Sequence, residues 1–373
     1  MISVEETALM KCLSQLPEPQ ACGEYSLSNG AALFALCAHA VSKRGNANSA
    51  RLKARAYFER AVALLNDSEN TSSLFRGITG VGFVASVMGH DDYEELLGEI
   101  DDVLLEGLST SDALNIDIVH GLSGIMIYGL QRESQGKTGV INASTALASS
   151  WLRAWLNDDQ ALVGSKHARN LGVAHGVPGL LLMMCNAAHF GKQGYVDLSM
   201  LASCVARIAR SQLTGNFGPT YPYAEGGKEP GRLAWCYGDL GILLLFHAYW
   251  RLTGQDMGCL EELAGSIARR GVSDPSLRDA SLCHGFSGLA LILRHVEDEA
   301  CFSNETSAQL RQIRVAASKR SAALAAGAAV ETYVNGRFLR STSLLEGGCG
   351  VALALDNLEC GDAVPWKSLL GIF

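Results

Sequence analysis

Two cysteines, Cys236 and Cys283, stand in the same local setting 47 residues apart: each is followed by a ring side chain and a glycine, as Cys236-Tyr237-Gly238 and Cys283-His284-Gly285. Two thiols and an imidazole that converge make a zinc-binding set, and three protein ligands leave a fourth position open for chemistry. Cys236, Cys283 and His284 are therefore the candidate metal ligands. The same spacing also fits two small buried cysteines, of the kind Cys37, Cys185 and Cys204 would be. It fits a Cys–His nucleophile pair as well, though two cysteines in equivalent positions suit that reading less. His175, in Gly172-Val-Ala-His175-Gly176, is a candidate general acid or base, because imidazole titrates near neutrality. Its plainer reading is a side chain hydrogen-bonded at a helix start. Asp117, four residues before Gly121, is placed either to orient a histidine or to cap a helix. Arg232, four before Cys236, suits either stabilisation of a developing anion or a surface ion pair.

These residues belong to a repeat. Gly-x-x-Gly followed by an apolar run occurs six times, at Gly77, Gly121, Gly176, Gly238, Gly285 and Gly347, with a seventh, degenerate copy at Gly30 where Leu33 replaces the second glycine. Spacings of 44 to 62 residues suit one helix pair per repeat. The run after each motif, such as Val177–Ala188 or Ile242–Trp250, is apolar on nearly every face and predicts a helix buried all round. The intervening stretches Ser49–Leu65, Tyr93–Leu108, Leu198–Leu213 and Ser307–Ala325 are amphipathic and predict outer helices. The last inner segment, Val351–Leu355, is as apolar as the middle ones, whereas an open solenoid needs a polar cap. The expected fold is all-α: an α/α toroid of seven inner and seven outer helices, forming one domain over residues 1–373. Thr332–Leu339, with its Asn-Gly pair, is the one expected β-hairpin.

Parallel inner helices gather their N-termini at one end. The residue before each first glycine is polar, namely Asn29, Arg76, His120, His175, Tyr237, His284 and Glu346, so chemistry is expected at that end, where helix dipoles favour a thiolate or an enolate. The segment Gly215–Gly231, with five glycines and three prolines, is expected to be a mobile cover over the site.

Composition narrows the function classes. With 48% hydrophobic and 18% charged residues the chain buries a large core. A net charge of −8 and no basic cluster exclude the electrostatic footprint of nucleic-acid binding. No apolar run approaches the ~18–20 residues of a membrane span, and Glu5 and Glu6 stand where a signal peptide needs basic residues, so a cytoplasmic protein is expected. Eleven cysteines, an odd number, fit free thiols or metal ligands better than a disulfide framework.

The segments Arg232-Leu-Ala-Trp235-Cys236-Tyr237-Gly238, Cys283-His284-Gly285, Gly172-Val-Ala-His175-Gly176-Val-Pro178-Gly179 and Asp117-Ile-Val-His120-Gly121 resemble the signature of the lanthionine synthetase C-like family, the lanthipeptide cyclases. The likeness spans essentially the whole chain. It implies an α/α toroid with zinc held by Cys236, Cys283 and His284, acid–base and orienting roles for His175 and Asp117, and supporting roles for Arg232 and Tyr237. Leu240 stands where the family usually has proline, and His120 where it often has an acidic residue, which makes His120 a competing ligand or proton carrier. No gap between repeats has room for the β-rich module that some cyclases insert.

The implied reaction is addition of a cysteine thiol to dehydroalanine or dehydrobutyrine in the same precursor peptide, giving a thioether ring. Its partners would be a leader-bearing dehydrated peptide, a separate dehydratase and an export transporter, the last placing the protein at the membrane surface through a complex. Addition of glutathione to dehydrated proteins would use the same zinc. A non-catalytic peptide-binding toroid is the alternative from a different class, and the intact Cys/Cys/His set counts against it.

Overall fold

Each first glycine of the repeat becomes the N-cap of an inner helix in the computed structural model, which describes residues 7–45, 47–68, 70–110, 115–158, 168–192, 196–256, 259–297, 301–326, 330–334 and 336–373. Counting helices in chain order, the inner ones are α2 (Ala31–Ser42), α4 (Ile78–Met88), α6 (Leu122–Glu133), α8 (Val177–Ala187), α10 (Asp239–Thr253), α12 (Phe286–Val296) and α14 (Gly348–Cys360). The outer ones are α1 (Ala8–Gln15), α3 (Ala47–Asn66), α5 (Glu94–Thr110), α7 (Gly139–Leu156), α9 (Leu198–Ala209), α11 (Leu260–Arg270) and α13 (Asn304–Ala325). The inner helices have no polar face, and nearly every residue of α2, α8 and α10 is buried. The glycines are there because the chain folds back on each helix start. A Cβ on Gly176 or Gly179 would collide with the carbonyls of Asn170 and Val173.

What closes the ring is a belt of backbone hydrogen bonds between successive helix-start loops. Ser28 N donates to Phe75 O, Phe75 N to Val119 O, Ile118 N to Ala174 O, Ala174 N to Cys236 O, Trp235 N to Cys283 O, Cys283 N to Leu345 O, and Leu344 N back to Ser28 O. All seven inner helices therefore start at one end and run the same way. The belt returns to its first member, which is the α/α toroid expected from the repeat.

The seventh outer position is filled from the other terminus. α1 packs on α14 and α2, with Cys12 Sγ 3.8 Å from Cys349 Sγ, while Arg44 after α2 pairs with Asp356 of α14 at 2.9 Å. The final segment Trp366–Phe373 packs against α8, α10 and the Trp235 loop. Leu369 and Leu370 are buried, Asn186 donates to Gly371 O, and the Trp235 indole N–H donates to Leu370 O at 2.9 Å.

One helix boundary changes, and a second hairpin joins the one expected. The outer helix expected to reach Leu213 ends at Ala209, and Leu213 opens a short hairpin, β1 (Leu213–Gly215) with β2 (Gly218–Thr220). Gly218, at φ 116°, reverses the chain where a side chain would be strained. The expected hairpin around Thr332–Leu339 forms as β3 (Glu331–Val334) and β4 (Arg337–Arg340). Among the described residues no helix is long and apolar enough to cross a membrane.

Candidate metal centre

The belt places the thiols. Cys236 and Cys283 are consecutive links in it, and Cys283 O accepts from both Trp235 N and Cys236 N. The neighbouring backbones bring Cys236 Sγ, Cys283 Sγ and a ring nitrogen of His284 within 4.8 Å of one another, with both cysteines buried. Tetrahedral zinc needs such donors ~3.6–3.8 Å apart, given Zn–S of ~2.3 Å and Zn–N of ~2.0–2.1 Å. Two thiols and an imidazole at this separation fit zinc in donor type and spacing. Among the described residues no other trio of Cys, His, Asp or Glu meets this closeness.

The electrostatics favour a thiolate. A hydrogen bond from Cys283, opposed by burial, and then His284 and Arg232 hold the Cys236 thiol well below its usual range. Cys283 is pushed up correspondingly, by that same bond and by burial. Arg232 Nη2 lies 3.9 Å from Cys236 Sγ. Burial opposes the charged form of His284, but Asp279 and Cys236 outweigh it and raise the imidazole to about 10.

Next to the thiols stands a second histidine. His175 Nδ1 is 3.3 Å from Asp117 Oδ2, and its ring stacks on Tyr237 at 5.4 Å between centroids. Of the two roles its sequence position suggests, Asp117 takes the orienting one. Its other oxygen accepts from His120 N at 2.5 Å in the loop before α6, whose N-cap is Gly121 without a side-chain cap. Burial works against the Asp117 carboxylate, but His175 and the His120 N–H bring it below its usual range. Tyr237 is fixed in turn by Asn170, whose amide donates to its hydroxyl at 3.1 Å. Close approach here demands glycine twice. A Cβ on Gly172 would collide with Cys236 O and the Tyr237 ring, and Gly238 sits at φ 147°.

The sequence-selected residues thus converge only in part. Cys236, Cys283, His284, Arg232, Tyr237, His175 and Asp117 share one sector of the rim. His120 is exposed, with Nδ1 3.4 Å from Ser73 Oγ, and is not in the metal cluster; Asn29 and Arg76 are exposed farther round. Asp279, Asn170 and the Trp235–Leu370 contact escaped the sequence reading. A signal existed, since the position six before each first glycine is polar in all seven repeats: Glu24, Thr71, Asn115, Asn170, Arg232, Asp279 and Ser341.

The segment Gly215–Gly231 is hydrogen-bonded along its length, in contrast to the expected mobile cover. Tyr223 O accepts from Leu171 N, Glu225 N donates to Arg169 O, and Gly231 N donates to Tyr221 O. Asp239, fully buried, accepts from Tyr221 N and Thr220 Oγ1 and pairs with Arg270. These anchors hold the segment as a wall of the site.

The family model for the lanthionine synthetase C-like protein matches residues 22–370. The nisin biosynthesis protein NisC of Lactococcus lactis subsp. lactis is 24% identical over 305 residues, 72% of each chain. A solved nisin cyclase superposes with a TM-score of 0.78 at 20% identity, covering 98% of this chain and 96% of its own. Its fold is thus the same ring of helices, and the family match extends across the belt, both thiols and the His175–Asp117 pair. The chain belongs to the lanthionine synthetase C-like family.

Proposed function

We propose that this chain is a cytoplasmic, zinc-dependent lanthipeptide cyclase: one toroid domain that adds cysteine thiols to dehydroalanine or dehydrobutyrine in a precursor peptide. The observation that carries the reading is the adjacency of a Cys₂His donor set to a histidine–aspartate pair, joined through the Tyr237 ring. Cys236, Cys283 and His284 would hold zinc, which would supply the Lewis acidity that lets a substrate thiol ionise at neutral pH. Arg232, at the edge of the thiols, stabilises negative charge there. Asp117 holds His175 by its Nδ1 side, so Nε2 is the atom that takes the thiol proton and returns it to the peptide. The S–Cβ bond forms as the Cα=Cβ double bond opens, and the resulting enolate receives that proton at Cα. Nothing is lost or gained in mass. Tyr237, packed on His175 and tied to Asn170, holds the imidazole in place beside the Cys236 segment.

In this reading the dehydroamino acids come from a separate dehydratase, and an export transporter completes the complex. The test is to incubate purified protein with candidate dehydrated peptides and count free thiols by alkylation and mass spectrometry, with glutathione in a parallel tube. Loss of alkylatable thiols at constant peptide mass supports cyclisation. A glutathione adduct makes the chain a glutathione-adding enzyme instead, and unchanged peptides in both tubes overturn both readings.

A further inference from the structure

Beside His284 lies a carboxylate that the reaction as described does not use. Asp279 is 1% exposed, and its Oδ2 stands 3.5 Å from His284 Nε2. That nitrogen is itself buried and forms no hydrogen bond, so the carboxylate faces it at ion-pair distance only. Asp279 cannot swing away, because two backbone donors grip it: Ser281 N reaches Oδ1 at 2.8 Å, and Tyr333 N reaches Oδ2 at 2.7 Å. The second grip comes from outside the repeat. Tyr333 sits opposite Phe338 in the β3–β4 hairpin, and its ring carries the Arg278 guanidinium at 4.6 Å.

We propose that Asp279 is the positioning residue of the metal centre: it accepts the Nε2–H of His284, thereby presents Nδ1 to zinc, and through Tyr333 makes the β3–β4 hairpin part of the metal site's support. The proposal rests on the zinc reading above. A carboxylate behind a metal-bound imidazole fixes its tautomer and orientation and raises its basicity, and removing such a partner typically costs 10–100-fold in metal affinity. Asp279→Asn keeps the shape and the Oδ1 acceptor for Ser281. It also turns an amide toward two donors, the Tyr333 N–H and the His284 Nε2–H, so the ring loses its acceptor.

The experiment is zinc affinity by competition with a chromophoric chelator, and the ligand-field spectrum of the cobalt-substituted protein, for wild type and Asp279→Asn. Wild type is expected to bind one zinc, and the variant to bind it ~10–100-fold more weakly with a displaced cobalt spectrum. A purely structural Asp279 would lower the melting temperature of the metal-free protein while leaving both metal readouts in place. A folded variant with affinity within about twofold of wild type and the same cobalt spectrum overturns the proposal. Wild type that takes up no zinc overturns the zinc reading instead. Should Asp279→Asn fail to fold, ¹⁵N NMR of the zinc-loaded wild type decides: a protonated, slowly exchanging Nε2 on His284 is expected, and zinc on Nε2 refutes the proposal.

Discussion

Histidines occupy both ends of the ring, and the two ends treat them in opposite ways. At the end where the helices start, His284 and His175 face the buried carboxylates Asp279 and Asp117, and the imidazole of His284 is raised to about 10. In the C-terminal halves of the inner helices, His39, His247 and His295 are surrounded by apolar neighbours and by the cations Lys43, Arg251 and Lys367. Burial first, then the neighbouring cations and, for His247, chiefly His295, lower them to about 4, 3 and 4. One residue type thus becomes a charge-ready group or an inert packing element according to what the fold places beside it. The chemistry of the rim comes from paired carboxylates and helix starts. Toward the other end the Trp366–Phe373 segment lines an apolar cavity of about 750 Å³ together with Leu130, Phe190 and Val364.

The contrast breaks most completely at the thiols. Cys283→Ala should take zinc from one per chain to none by elemental analysis and reduce cyclisation to background; a variant retaining full zinc and turnover would remove the site. The next effect is expected at His175, where replacement by Asn should lower turnover ~10²–10⁴-fold while zinc content and peptide affinity persist. Adding Asp117→Asn to that variant should cost little more, because the two act as a unit. Steady-state kinetics of the single and double variants test this, and fully additive losses would separate the pair.

The silenced histidines predict a pH dependence of stability. Their pKa values are depressed by folding, so the unfolded chain binds protons that the folded chain refuses. The stability they contribute is complete above the unfolded value of ~6.5 and is lost as pH falls toward about 4. At pH 5 the loss is roughly 2 kcal/mol for each of these groups. His247→Gln should flatten the denaturation midpoint between pH 6.5 and 4, and an unaltered profile would show that this end is not the acid-sensitive one. The smallest change expected joins the two ends. Trp235→Phe removes the donor to the buried Leu370 carbonyl and should cost about 1–3 kcal/mol by urea denaturation, with Cys236 still able to bind zinc.

The sequence makes the ring legible because glycine spacing and all-round apolar helices are local signals that recur, and repetition averages out noise. The thiols and the rim polar residues are legible for the same reason, each sitting at a fixed offset from a glycine. Asp279 is less so, since its meaning depends on Tyr333, more than fifty residues later, and on a hairpin that interrupts the repeat. The β1–β2 hairpin and the anchoring of Gly215–Gly231 were hidden by composition. Glycine and proline there describe tight backbone geometry, and the buried Asp239–Arg270 pair that fixes it lies in other elements. The role of Trp366–Phe373 could not be read either, because an apolar segment does not state what it fills.

The pairing of α1 with α14 bears on how the protein is made. Leu9 and Leu13 leave the ribosome well before α14, whose Cys349 contact is encoded 337 residues after Cys12. At ~5–20 residues per second, α1 waits roughly 17 to 70 s for its partner. Until then an amphipathic helix and an unsatisfied Ser28 carbonyl stand at the open seam, where a second nascent chain offers the same missing α14. Synthesis order thus makes the last repeat the gatekeeper between a closed ring and an exchanged, interlocked pair of chains.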